Sequence, residues 1–89
     1  MPLSVTQKQE IIKEFQTVDG DTGSPEVQIA LLTYRIDKLT EHLKTHQHDV
    51  HSRRGLLSMI AKRRRLLHFL TKVDKKRSAV ITKKIGLKN

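Results

Sequence analysis

The chain contains no cysteine. That excludes disulfide staples and thiolate zinc sites and fits a reducing compartment. It has no tryptophan, one tyrosine and two phenylalanines, so any core has to be assembled from Leu, Ile and Val, and in 89 residues that core is modest. Four glycines and two prolines leave little turn material. No strand-like alternation and no internal repeat is present, which leaves a few long helices as the expected content of one domain spanning residues 1–89. No apolar run approaches a membrane span, and residues 1–12 show no signal-peptide pattern, so a cytoplasmic protein is expected. Also missing are a Gly-rich phosphate loop, a nucleophile elbow and an HExxH pair. An enzyme is therefore not expected, and no cofactor or metal is implied.

What the chain does have is positive charge: 18 Lys and Arg against 9 Asp and Glu, a net charge of +9. The charge is uneven. Residues 1–44 carry five basic and seven acidic side chains; residues 45–89 carry thirteen basic and two acidic. A cationic half on a small domain points to a polyanion, nucleic acid first and an anionic membrane surface second.

The order of caps and apolar positions predicts four helices. Ser4 with Gln7 makes a capping box for a first helix ending near Thr17, with Val5, Ile11, Ile12 and Phe15 on its apolar side. Residues 18–24 are turn chemistry. Ser24-Pro25-Glu26 starts a second helix, with a cap, a proline at the first helical position and an acid at the positive end of the dipole. That helix runs to about Thr45 on a seam of Ile29, Leu32, Ile36, Leu39 and Leu43. Asp49 caps a third helix to about Val73, Asp74 a fourth from Lys75 to about Ile85, and Gly86 stops it. The fold class expected is all-α: a long antiparallel hairpin of the second and third helices, packed by shorter first and fourth helices.

Residues 51–70, HSRRGLLSMIAKRRRLLHFL, carry six Lys and Arg in one helix. Projected at 100° per residue, Leu56, Ile60, Leu67 and Leu70 share one side, extended by Met59, Leu66 and Val73. Arg54, Ser58, Lys62, Arg65, Phe69 and Lys72 share the other. A core does not need that second face; a phosphate backbone with one ring for base stacking suits it. Arg63 and Arg64 fall within or beside the apolar arc and are expected to snorkel or to pair with acids of a neighbouring helix. Gly55 weakens the third helix unless something approaches closely there. On the second helix Gln28, Arg35 and His42 lie seven residues apart, in a line roughly 20 Å long. Asp21-Thr22-Gly23-Ser24 offers hydroxyls and amides at a helix N-terminus, where phosphate oxygens bind readily. His42, His46, His48 and His51 cluster at one end of the hairpin, but no carboxylate or cysteine completes a metal set there.

Taken together, GDTGSPEVQIALLTYRI (residues 20–36), EHLKTH (residues 41–46) and HSRRGLLSMIAKRRRLLHFL (residues 51–70) resemble the bacterial protein numbered fifteen of the small ribosomal subunit, over nearly the whole chain. The resemblance implies a four-helix fold and early binding to small-subunit ribosomal RNA, at a three-way junction and at a nearby duplex. It implies junction contacts at Thr22, Gly23, Gln28, Arg65, Phe69 and Lys72. His42, Asp49 and Ser52 would read the duplex minor groove. Arg35 joins the junction set through its place on the Gln28–His42 line. Further implied partners are large-subunit ribosomal RNA, met around residues 44–48 in an inter-subunit bridge, neighbouring small-subunit proteins and, in some members, their own messenger RNA. The chain departs from the family pattern in having Phe69 where tyrosine is usual, Lys72 for arginine, Val50 for histidine and Pro25 for threonine.

Two other readings compete. A basic amphipathic module for anionic membranes needs bulky apolar residues free to insert, and here those have a partner seam on the second helix. A DNA-binding helical domain would need the short turn of a helix-turn-helix, which the long hairpin lacks.

Overall fold

The computed structural model describes residues 5–16 and 23–86. They form four helices: α1 (Val5–Phe15), α2 (Pro25–Thr45), α3 (Val50–Val73) and α4 (Lys75–Ile85). Three of these match the spans read from caps and apolar spacing, and α1 stops two residues early, at Phe15. The Ser4 cap, the turn residues 17–22 with Thr22, and residues 87–89 lie outside the described residues.

The helix starts are fixed locally. The Ser24 hydroxyl accepts from the Val27 N–H at 3.3 Å, and Pro25 follows at the first helical position. Asp49 accepts from the Ser52 N–H at 3.0 Å. Asp74 closes α3 through its own N–H to the Leu70 carbonyl, then opens α4 by accepting from the N–H groups of Lys76 and Arg77. Each cap satisfies donors that a helix N-terminus otherwise leaves bare, a contribution of about 1 kcal/mol apiece. Gly86 ends α4 at φ 75°, the left-handed conformation that a side chain disfavours.

α2 and α3 form the antiparallel hairpin. His42, near the end of α2, bonds Asp49 at the start of α3, while Thr33 in mid-α2 meets Arg63 farther along α3. α1 packs on α2, and α4 on both hairpin helices. All four meet only at the end remote from the loop. There Ile11, Phe15, Val27, Ile29, Ala30, Leu70 and Ile81 make the core. α1 reaches along α2 as far as Lys38, which donates to Gln7 at 2.8 Å; nearer the loop Leu39 of α2 is buried, while Leu56, Met59 and Ile60 of α3 are half-buried.

Three apolar expectations need correction. Val73, at the last turn of α3, is 61% exposed and not part of the apolar arc's core; Val80 is 59% exposed and Val5 72%. Val5 and Val73 lie at helix ends, and Val80 lies on the open rim of a groove it shares with Phe15 and Glu26. Arg63 pairs with a hydroxyl, donating to Thr33 Oγ1 at 3.2 Å. Burial pulls its guanidinium below the ordinary arginine value, and the nearby Asp37 charge opposes that shift. Arg64 is exposed. Gly55 has open space beside it: a Cβ added there meets nothing within 4 Å. It therefore costs the helix roughly 0.5–1 kcal/mol relative to alanine with no packing to offset it.

One long-range contact had no local signal. Glu26 is only 7% exposed, and its two carboxylate oxygens accept from Arg77 Nε and Nη2, each at 2.6 Å. This bidentate pair joins the first turn of α2 to the first turn of α4. It fixes where the fourth helix sits and with it the end of α3.

Candidate nucleic-acid interface

The basic face of α3 stays outside the packing. Phe69 is 54% exposed, although a single helix turn separates it from the buried core. Leu70 beside it is 1% exposed, so adjacent positions on one turn take opposite fates, as the helical projection requires. Arg64, Arg65, His68, Phe69 and Lys72 line one shallow depression on the outer side of α3. None of the five forms an ion pair among the described residues. An uncompensated cationic rim around an exposed ring can neutralise phosphates and stack a base. Arg65, Phe69 and Lys72 were expected there. Arg64 and His68 were missed; their sequence signal is position, each adjacent to a member of the set and four residues apart on the helix.

Gly23 and Gln28 come together at the start of α2, where the Gln28 carboxamide donates to the Gly23 carbonyl at 2.7 Å. Gln28 thus holds the chain entering α2 against the helix. Thr22, expected beside them, lies outside the described residues. Arg35, two turns on, is half-buried on α2.

At the other end of the hairpin, His42, Asp49 and Ser52 form one bonded cluster. Asp49 Oδ2 accepts from the Ser52 hydroxyl at 2.6 Å and lies 2.9 Å from His42 Nε2, while Oδ1 takes the Ser52 N–H at 3.0 Å. The two bonds from Ser52, then the one to His42, hold the Asp49 carboxyl well below the usual carboxylate range. It is therefore ionised at neutral pH, and the hydrogen-bond network assigns the proton of a neutral His42 ring to Nε2. The Ser52 hydroxyl hydrogen is already committed. What Ser52 and neutral His42 can offer a partner is lone pairs, at Oγ and Nδ1. Asp49 acts as cap and organiser of the other two. The His46 ring stacks on His42 with centroids 4.3 Å apart and planes 6° from parallel, which further fixes the His42 ring. No group of three potential metal ligands occurs among the described residues.

Comparison with known proteins bears on this geometry. The family model described as ribosomal protein S15 matches residues 8–88. The chain belongs to that family. Among its relatives is the small ribosomal subunit protein uS15 of Parafrankia sp. (strain EAN1pec), 57% identical over 99% of each chain. The protein of the same name from Streptomyces coelicolor is 56% identical over 99% of this chain and 93% of its own. That from Kineococcus radiotolerans is 54% identical over 99% of each. The family's four-helix fold, expected from the resemblance, is the fold observed. No helix among the described residues is long and apolar enough to cross a membrane, and the apolar seams of α2 and α3 face each other and the core.

Proposed function

We propose that this protein is a structural, non-catalytic component of the small ribosomal subunit. In this reading it binds small-subunit ribosomal RNA at a three-way junction and in the minor groove of an adjacent duplex. The observation that carries the reading is the exposed depression of Arg64, Arg65, His68, Phe69 and Lys72, a cationic surface around a ring on a helix whose opposite side is committed to packing. Arg65 and Lys72 take backbone phosphates and Phe69 stacks a base exposed at the junction. Gln28, Gly23, Thr22 and Arg35 take a second arm from the start and edge of α2. At the loop end His42, Asp49 and Ser52 read the minor groove, Asp49 orienting the other two so that Ser52 and the neutral form of His42 offer acceptors. Those match 2′-hydroxyls and the guanine N2 amino group, the one donor that a minor groove presents among its base edges.

Binding of this kind works by selection. A junction that samples several arrangements of its arms is held in the one that touches both ends of the hairpin, so a rigid protein can order an RNA with no chemical step. The exposed loop end, residues 44–48, reaches large-subunit RNA in an inter-subunit bridge, and neighbouring small-subunit proteins and its own messenger RNA are further partners of the same reading. The setting is the cytoplasmic ribosome.

Binding to a small RNA containing the junction, in the presence of excess duplex DNA, tests the proposal. Retention against the DNA supports it, and equal competition sinks it. Arg65→Ala is expected to weaken binding and to reduce the slope of log K against log salt by about one, the mark of one lost phosphate contact. An unchanged slope removes Arg65 from the phosphate set.

A further inference from the structure

We infer that Gly55 marks a point where the RNA comes into van der Waals contact with the backbone of α3, so that the minor-groove and junction contacts belong to one continuous track along that helix. The inference rests on the RNA-binding reading and adds to it a residue that carries no functional group.

Gly55 is the sixth residue of α3, clear of its caps. Its backbone is ordinary right-handed helix, and Gly86 is the one described glycine at positive φ. A Cβ at Gly55 would meet nothing within 4 Å. Neither conformation nor internal packing calls for glycine here, in a helix where glycine is the poorest choice after proline. The fold gives no reason for it; the proposed RNA track does. Projected on the helix, Gly55 points roughly 60° from Ser52 and roughly 20° from Lys62, between the two. Gly55, Lys62 and Phe69 are seven residues apart and form a row, with the same spacing as Gln28, Arg35 and His42 on α2. The His42–Asp49 bond ties the two helices together at the Gly55 end. A duplex arm that sits on Ser52 and continues to Phe69 must therefore pass over Gly55. The missing side chain leaves a shallow gap in which a sugar–phosphate strand can approach the helix, with Lys62 one step farther on to neutralise a phosphate.

The test sets stability against affinity. In the free protein Gly55→Ala is expected to raise Tm by about 2–8 °C, because alanine favours the helix and finds room. Against the junction RNA the same variant should bind about fivefold or more weakly, since a group forced into a filled contact is expelled or strains it. Gly55→Leu, also a good helix former, should lose more. A variant series with unchanged affinity overturns the close approach, and so does a fall in Tm for Gly55→Ala, which would mean that the fold itself needs the glycine. Wild-type protein that fails to retain the RNA would instead defeat the binding reading on which the inference rests.

Discussion

Truncating Phe69 separates the interface from the fold more cleanly than any other single change. The ring is 54% exposed and sits on the rim of a depression whose other members are cationic or imidazole side chains. Removing it opens no cavity, so Phe69→Ala should change stability by no more than about 0.5 kcal/mol. For a chain of this size that is within about 2–4 °C of Tm. In the complex the same ring is assigned to stack on a base, a contact worth about 1–3 kcal/mol by alanine substitution. Affinity for the junction RNA should therefore fall by a factor of about 5 to 150. The neighbouring Leu70, 1% exposed, supplies the contrast: Leu70→Ala should cost about 2–5 kcal/mol of stability through the cavity it leaves. Phe69→Tyr keeps the ring and should restore the affinity lost in the alanine variant. The assays are nitrocellulose filter binding at fixed salt and thermal unfolding followed by far-UV circular dichroism. Unchanged affinity in a folded Phe69→Ala protein would refute the stacking assignment. A loss of Tm comparable to that of Leu70→Ala would refute the claim that the ring lies outside the packing.

Other consequences can be measured on the free protein. Arg77→Met leaves the nearly buried Glu26 carboxylate without its bidentate partner; since the guanidinium side is 40% exposed, the loss should be about 2–3 kcal/mol and not the full value for a buried pair. The double variant Glu26→Leu with Arg77→Met should recover much of that in urea unfolding, and no recovery would mean that the pair does more than neutralise itself. Asp49 titrates below its unfolded value, so its contribution is complete above about pH 4 and is lost as pH falls further toward the folded value. Asp49→Asn should flatten that acid-side fall in Tm, and a variant that parallels wild type would exclude Asp49 as its source. Ser52→Ala removes the largest cause of the Asp49 shift, and the carboxyl should titrate at higher pH by NMR; an unmoved titration would mean that the Ser52 hydroxyl is not its partner.

Legibility from sequence followed the range of each interaction. The spans of α2, α3 and α4 could be read because Ser24, Asp49, Asp74 and Gly86 act on backbone groups within four residues of themselves. The exposure of Phe69 could be read because helical period alone separates it from Leu70. The Glu26–Arg77 pair could not be read, because 51 residues separate its members and Glu26 already had an adequate local role as an acid at the positive end of the α2 dipole. Arg63 was expected to snorkel or to pair with an acid of a neighbouring helix; that it bonds the Thr33 hydroxyl with Asp37 nearby could not be read, because which side chains of α2 lie opposite depends on the hairpin register. Val73 and Val80 obeyed the apolar pattern without being covered, because the pattern cannot say where the partner helix ends.

By itself, then, the sequence determined four helices, the caps of the last three, the inward seams and a cationic face with one ring, all consequences of short-range backbone chemistry and of the 3.6-residue period. Tertiary structure alone decided that the Asp49 carboxylate, already the cap of α3, also meets His42 of α2. It also decided that α4 is clamped through Arg77 and that no described residue occupies the space beside Gly55. Those depend on which residues of different helices come face to face, and only the packing of the hairpin and its two flanking helices sets that.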